Sequence, residues 1–576
     1  MGLLKEKKRT KGLVARLASG GASASQISPL RPRYLERLPP CTSACPSGND
    51  VRGFLTAISL RDKVGASLDE ACERAWRCYM ETNPFPAVMG RVCPHPCEDH
   101  CNRREKDGAV DINSVERFIG DWALARGLAP GRLAGEGPKA ERVAVVGAGP
   151  SGLACAYHLA RRGYPVTVFE SLPLPGGMLR YGIPVYRLPR AVLDAEIQRI
   201  VDLGVELRCG TTIGDDVPFA DLRRDFAAVY VAIGAHQGLK LGIPGEDGPG
   251  LWTGAEFLRH VNSGKRVELG GRVVVVGGGD TAVDAARVSK RVSLDAAAVS
   301  RRLGADVTML CLETVAEMPA IGLEIEQALE EGIRIEPAAA PVEIRRDGEG
   351  RVRAVVVQRI RPGGIGDWLQ GRRDVAEGDP FELPAEAVIA AVRQQPQLSQ
   401  LAAAELGAGW LGADDWGRTT VAGVWTGGDN VEPGIATTSI GHARRAAECI
   451  HAALRGGSPA AADEGAPLRH DRLKLGWYEP KARGARRVLA PEERLAAPDL
   501  EVDHGLAEEE AIAEAARCLS CGSCFGCEAC WMYCQNNCFT KLQRPAPGSF
   551  YSIKLEVCDG CKKCWEECPC GFIVGE

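Results

Sequence analysis

One local pattern occurs twice in this chain, and the repeat limits the fold more than any other feature. The apolar run Arg142–Val146 meets Gly147, Gly149 and Gly152 at the spacing Gly-x-Gly-x-x-Gly, and the helix-forming stretch Leu153–Arg161 follows. Such glycines allow a tight turn, close approach of a pyrophosphate, and close helix–strand packing. The helix N-terminus then offers its free N–H groups to the phosphates. A second apolar run, Val166–Phe169, ends at Glu170, 18 residues beyond Gly152. A carboxylate there can accept both ribose hydroxyls. The second copy runs from Arg272 into Gly277, Gly279 and Ala282, and its next strand, Asp306–Leu310, leads to Cys311, Leu312 and Glu313. Two complete nucleotide signatures predict α/β architecture with two Rossmann-like domains. They also suggest FAD plus NAD(P), with hydride passing between them.

Cysteine is the second constraint. The chain has 576 residues and 23 cysteines; seven lie in Cys41–Cys101 and twelve in Cys518–Cys570. Basic and acidic residues nearly balance, at 70 and 75, so nothing points to nucleic acid. No apolar run is long enough for a membrane span. The basic N-terminus lacks the apolar region of a secretory signal. A cytoplasmic setting follows, in which thiols stay reduced and dense cysteines read as metal ligands.

The C-terminal cysteines follow a double ferredoxin spacing: Cys524, Cys527, Cys530 and Cys534, then Cys558, Cys561, Cys564 and Cys568 before Pro569. In that spacing the fourth cysteine of each run serves the other [4Fe–4S] cluster. Cys568 therefore joins Cys524, Cys527 and Cys530, and Cys534 joins Cys558, Cys561 and Cys564. Gln535 stands where proline is usual. Zinc is the competing reading of such pairs. Cys538 and Cys570 fall outside the runs and are read as non-ligands. Cys72, Cys78, Cys155, Cys209, Cys311 and Cys449 read as packing residues. None of the nine histidines sits in a nucleophile or metal motif, and no catalytic side chain is assigned.

The order of motifs resembles the small subunit of glutamate synthase and its relatives. The resemblance rests on Cys45-Pro46, Asn83–Pro86, Gly90–Pro94, Pro175–Pro184, Tyr186–Pro189, Ile243–Glu246, Ala316–Ala320 and Gly427–Asp429. Together with the ferredoxin-like extension it is similar to the DsrL-type NAD(P)H:acceptor oxidoreductase branch of iron–sulfur flavoproteins. It implies FAD at the first glycine turn, with Gly177, Gly428, Asp429 and Thr437 completing the site. It implies an NAD(P) domain inserted between the two halves of the FAD domain. The expected organisation is a flexible lead (1–35), a helical Fe–S domain (36–135) and an FAD domain (141–262 and 417–455). An NAD(P) domain (263–416), a linker (456–505) and a two-cluster ferredoxin-like domain (506–576) complete it.

The resemblance also implies N-terminal clusters. Cys45, Cys93, Cys97 and Cys101 match one family site. The family's other site normally uses an upstream Arg-Cys-x-x-Cys-Gly run; here that run stands at Arg517–Gly522. Cys41, Cys518, Cys521 and Glu116 are therefore the expected fourth set, giving three to four clusters. NADP-using relatives carry an arginine pair where this chain has Leu312 and Glu313, which implies NAD(H); Arg301 and Arg302 are the alternative source of charge. The expected activity is NAD(H)–FAD hydride exchange, then one-electron transfer to a protein partner such as a ferredoxin or a sulfite reductase. The alternative is an electron-input subunit of a fixed complex, of glutamate synthase or 2-oxoacid oxidoreductase type. A homodimer is compatible with either.

Overall fold

The structure is a computed structural model that describes residues 30–292, 305–398, 406, 409–460 and 465–575. Arg301 and Arg302 lie outside the described residues.

Both glycine-turn repeats build five-stranded parallel sheets. The first has the order Val424–Thr426, Ala228–Val231, Val143–Val146, Val166–Glu170, Glu206–Cys209. Its central strands are buried on both faces, as their unbroken apolar runs require. The second has the order Arg334–Glu336, Asp306–Leu310, Arg272–Val276, Ala387–Ala390, Leu251–Thr253. A three-stranded antiparallel meander, Ala339–Arg346, Val352–Ile360 and Ala376–Pro384, accompanies it.

The structure moves one expected boundary. Leu251–Thr253 and the helix Gly254–Asn262 belong to the second sheet, not to the first nucleotide domain. The crossing lies earlier, at a two-residue ribbon in which Gln237–Gly238 pairs with Gln394–Gln395. A three-residue edge strand carries too little pattern for its sheet to be read from sequence.

Before the first sheet, the helices Val51–Ser59, Leu68–Met80, Pro86–Val92 and Ile112–Ala125 form a bundle that shares one continuous apolar core with that sheet. The last two touch backbone to backbone: a Cβ on Gly90 would meet the Arg117 backbone at 2.4 Å, and one on Gly120 would meet Ala87 N at 2.2 Å. The buried Glu196 of the helix Arg190–Val201 accepts the N–H groups of Ala87 (2.9 Å) and Val88 (3.0 Å), which ties the first nucleotide domain to the bundle.

The C-terminal cysteine segment folds around the hairpin Phe539–Ala546/Ser549–Ile553. Residues expected in the N-terminal lead take part: Arg33–Tyr34 pairs antiparallel with Ile573–Val574, and Tyr34 stacks on Phe572. The expected linker is a fitted strap. Arg486 pairs with Asp111 and Asp503, Glu501 accepts Arg91 and Arg117, and Arg494 reaches Glu330.

Candidate functional site

At the first glycine turn the backbone leaves no room for side chains. Gly147 has φ +105°, and a Cβ there would lie 2.3 Å from Ala232 O; one on Gly152 would lie 1.9 Å from Gly147 O. Gly149 and Gly177 face each other, since a Cβ on Gly177 would sit 2.7 Å from Gly149 Cα. The result is a backbone-walled cradle at the N-terminus of the helix Pro150–Arg161. Glu170 reaches it, its carboxylate accepting the N–H groups of Ala148 (2.7 Å) and Leu172 (2.8 Å). Burial raises its pKa above the usual carboxylate range.

Gly428 comes to the same cradle, with Asp429 next to it in the chain. A Cβ on Gly428 would lie 2.9 Å from Ser151 Cβ. Asp429 accepts the Ser439 hydroxyl at 3.1 Å, and burial pushes its carboxyl up to about 6. Thr437 is buried in the first turn of the 19-residue helix Ala436–Leu454.

At the second turn, Gly277 has φ +140° and packs on Ala391 O, while Ala282 is fully buried beneath it. Gly279 faces open space. Glu313 comes to the turn: a Cβ on Gly278 would lie 2.7 Å from its Oε2.

All 23 cysteines are free, and sixteen candidate ligands gather into four sets. Two sets have the expected membership. Cys524, Cys527, Cys530 and Cys568 line one cavity. Cys534, Cys558, Cys561 and Cys564 line another. The other two sets exchange a member. Cys41, Cys518 and Cys521 share a cavity with Cys101, not with Glu116. Glu116 is instead close enough to Cys45, Cys93 and Cys97 for its charge to help raise their thiols. The cause is local geometry. The helix Pro96–Asp99 lasts one turn, so Cys101 leaves the helix that carries Cys97 and heads toward Cys41. Glu116 lies within the helix capped by Asp111, points inward, and accepts the Tyr79 hydroxyl. Burial lifts its carboxyl to about 8.

Arg517 explains how a C-terminal run completes an N-terminal set. It is 1% exposed and donates to the carbonyls of Asp107 (3.1 Å), Gly108 (2.8 Å) and Ala109 (2.8 Å), and to Glu514 (2.5 Å). Glu514 in turn accepts the Asp111 N–H at 2.7 Å. Cys518 is the next residue.

Tetrahedral zinc holds thiolates at about 2.3 Å from a single point. Among the described residues, no three Cys, His, Asp or Glu side chains converge in that way. Cys538 and Cys570, read from the sequence as bystanders, also line the two ferredoxin-like cavities. Only the cavity lining shows this, because neither residue fits the repeat spacing.

Comparison with known proteins agrees with this architecture. Residues 141–449 match the pyridine nucleotide-disulphide oxidoreductase family, and residues 35–128 match dihydropyrimidine dehydrogenase domain II, 4Fe-4S cluster. The NADPH-Fe(3+) oxidoreductase subunit beta of Geobacter sulfurreducens is 33% identical, over 84% of this chain and 75% of its own. The NADP(+)-dependent formate dehydrogenase subunit beta of Moorella thermoacetica is 35% identical, over 84% of this chain and 70% of its own. The Glutamate synthase [NADPH] small chain of Escherichia coli is 31% identical, over 72% of this chain and 88% of its own. Among the described residues, no helix is long and apolar enough to cross a membrane.

Proposed function

The chain belongs to the iron–sulfur flavoproteins of the pyridine nucleotide-disulphide oxidoreductase family, an NAD(P)H-linked oxidoreductase using FAD and [4Fe–4S] clusters, and from that premise we propose that it carries electrons along one line from nucleotide to surface. One observation carries the proposal: the first cluster set abuts the flavin motif. Cys93 Sγ lies 3.9 Å from Thr437 Oγ1, and a Cβ on Gly441, in the same helix, would meet Pro46 O at 2.1 Å. The line then runs from the Cys45/Cys93/Cys97/Glu116 set to the Cys41/Cys101/Cys518/Cys521 set. It continues to the Cys524/Cys527/Cys530/Cys568 set and ends at the Cys534/Cys558/Cys561/Cys564 set. Successive sets are joined by ligands three or four residues apart (Cys41 and Cys45, Cys97 and Cys101, Cys521 and Cys524, Cys530 and Cys534). Such spacings keep their Cα atoms within about 14 Å. Cys561, in the last set, is exposed, which is where a partner would meet the line.

When bound, FAD exchanges hydride with the nicotinamide and passes electrons singly, and each cluster carries one. The protein's own part is positioning. The Gly147 turn and the Pro150–Arg161 helix would hold the FAD pyrophosphate, with Glu170 on the ribose. Gly277, Gly279 and Ala282 would hold the second nucleotide. Thr437 and its helix N-terminus would favour negative charge at the flavin. The four-residue sets would hold the clusters, the first with Glu116 as its oxygen ligand.

Glu313 at the second turn supports NAD(H). A carboxylate there accepts from a free 2′-hydroxyl and repels a 2′-phosphate. The cost is on the order of a few kcal/mol, a bias of roughly a hundredfold. The three relatives have NADP or NADPH in their names, so steady-state kinetics with a dye acceptor decides the point. A higher kcat/KM with NADPH than with NADH would remove Glu313 from the proposed role.

The partner is a protein that gives or accepts electrons, a ferredoxin or a redox enzyme such as a sulfite reductase. The relatives' names, two of them subunit beta and one small chain, favour a subunit of a fixed complex. The line itself is tested with Cys93→Ala. Anaerobic NADH should still bleach the flavin, while electron delivery to a ferredoxin falls at least tenfold; an unchanged delivery rate would refute this order of transfer.

A further inference from the structure

Each of the two ferredoxin-like cavities is lined by five cysteines, one more than a cluster needs. The surplus thiols are buried, Cys538 and Cys570 each at 2% exposure. Each stands beside the ligand that crosses from the other run. Cys538 donates its backbone N–H to Cys534 Sγ (3.2 Å), and its thiol faces both Cys534 and Cys558. Cys570 Sγ lies 3.8 Å from Cys568 Sγ. A buried free thiol is ordinarily just a small packing group. Here two of them recur at the same place relative to two cavities, against the same kind of ligand.

We propose that Cys538 is a reserve ligand for the outermost cluster, able to replace Cys534, and that Cys570 stands in the same relation to Cys568. The exchange is balanced. The iron–sulfur bond to Cys534 breaks, a bond to Cys538 forms, and the Cys538 proton passes to the departing Cys534 thiolate. Net charge is unchanged and no oxidant is consumed. The outer cavity has the greater need, because it contains the exposed Cys561. The first run also lacks the usual proline after its fourth cysteine: Gln535, Asn536 and Asn537 follow, and Asn537 adopts φ +53°. That turn returns the chain so that Cys538 re-enters the cavity Cys534 lines.

This inference rests on the cluster reading above, and the experiment separates the two. Wild type, Cys538→Ala, Cys534→Ala, Cys534→Ala/Cys538→Ala and Cys564→Ala are purified anaerobically, and iron, sulfide and EPR spectra are measured. Absence of iron from wild type would overturn the cluster reading itself. With wild type loaded, Cys538→Ala should keep all its iron, and Cys534→Ala should keep it too, with a shifted EPR signal from one cluster. The double variant and Cys564→Ala should each lack about four iron atoms. Loss of about four iron atoms from Cys534→Ala alone, or from Cys538→Ala alone, would overturn the reserve role. Should Cys534→Ala fail to fold, the rate of cluster bleaching in air reads the same arrangement with every primary ligand in place. Cys538→Ala should bleach at least twofold faster than wild type, and equal rates would overturn the proposal.

Discussion

Replacing Arg517 by alanine should detach the C-terminal cysteine pair from the N-terminal set it completes. The guanidinium is 1% exposed and spans three consecutive carbonyls, Asp107 to Ala109, plus that of Lys481 at 3.1 Å. It also neutralises Glu514, itself 1% exposed, and Asp107 at 3.3 Å. Removing one partner of a buried pair costs about 3–5 kcal/mol, because the remaining charge stays buried without its counterion. Taking about 4 kcal/mol, the docked arrangement of Cys518 and Cys521 against Cys41 and Cys101 weakens roughly a thousandfold. The alanine variant should therefore lack about four iron atoms while retaining FAD, since the Gly147 cradle is far from the change in sequence and contact. Lysine at 517 keeps the charge but cannot reach all the carbonyls, and should give partial loading. Anaerobic iron and flavin analysis reads the outcome. A fully loaded Arg517→Ala with an unchanged EPR spectrum would refute the reasoning.

Two further outcomes follow from named residues. Cys41→Ala, Cys101→Ala and Cys518→Ala should abolish one and the same EPR signal, and Cys45→Ala a different one; grouping of Cys101 with Cys45 would reverse the assignment drawn from the cavities. Glu196, fully buried, has its carboxyl raised to about 7 by burial. A carboxyl whose folded pKa is raised stabilises the fold in its protonated form, and that contribution is lost as pH climbs from the usual value near 4.5 through about 7. Chemical denaturation of wild type should show that decline, and Glu196→Gln, which cannot ionise, should flatten it; parallel pH profiles would count against burial as the cause of the shift.

The sequence was most legible where structure is local. Both glycine turns, with Glu170 and Glu313 at the following strands, and both C-terminal cysteine runs depend on residues close in the chain, and each stands in the fold where the spacing puts it. Long-range pairings were harder to read. The exchange of Cys101 and Glu116 between sets turns on a helix that ends at Asp99 after one turn. The strap 486–503 shows no period because it is held by ion pairs to Asp111, Arg91, Arg117 and Glu330, not by an apolar face. Leu251–Thr253 is too short to announce its sheet. Cys538 and Cys570 fall outside the repeat, so only the folded cavity reveals their company.

The central claim is that one chain holds a flavin and a four-membered line of clusters. Anaerobic purification followed by iron, acid-labile sulfide, zinc and flavin analysis tests it most directly. The account predicts one FAD with about sixteen iron and sixteen sulfide per chain. Zinc in place of iron, or iron at about twelve or fewer with full flavin, would contradict it.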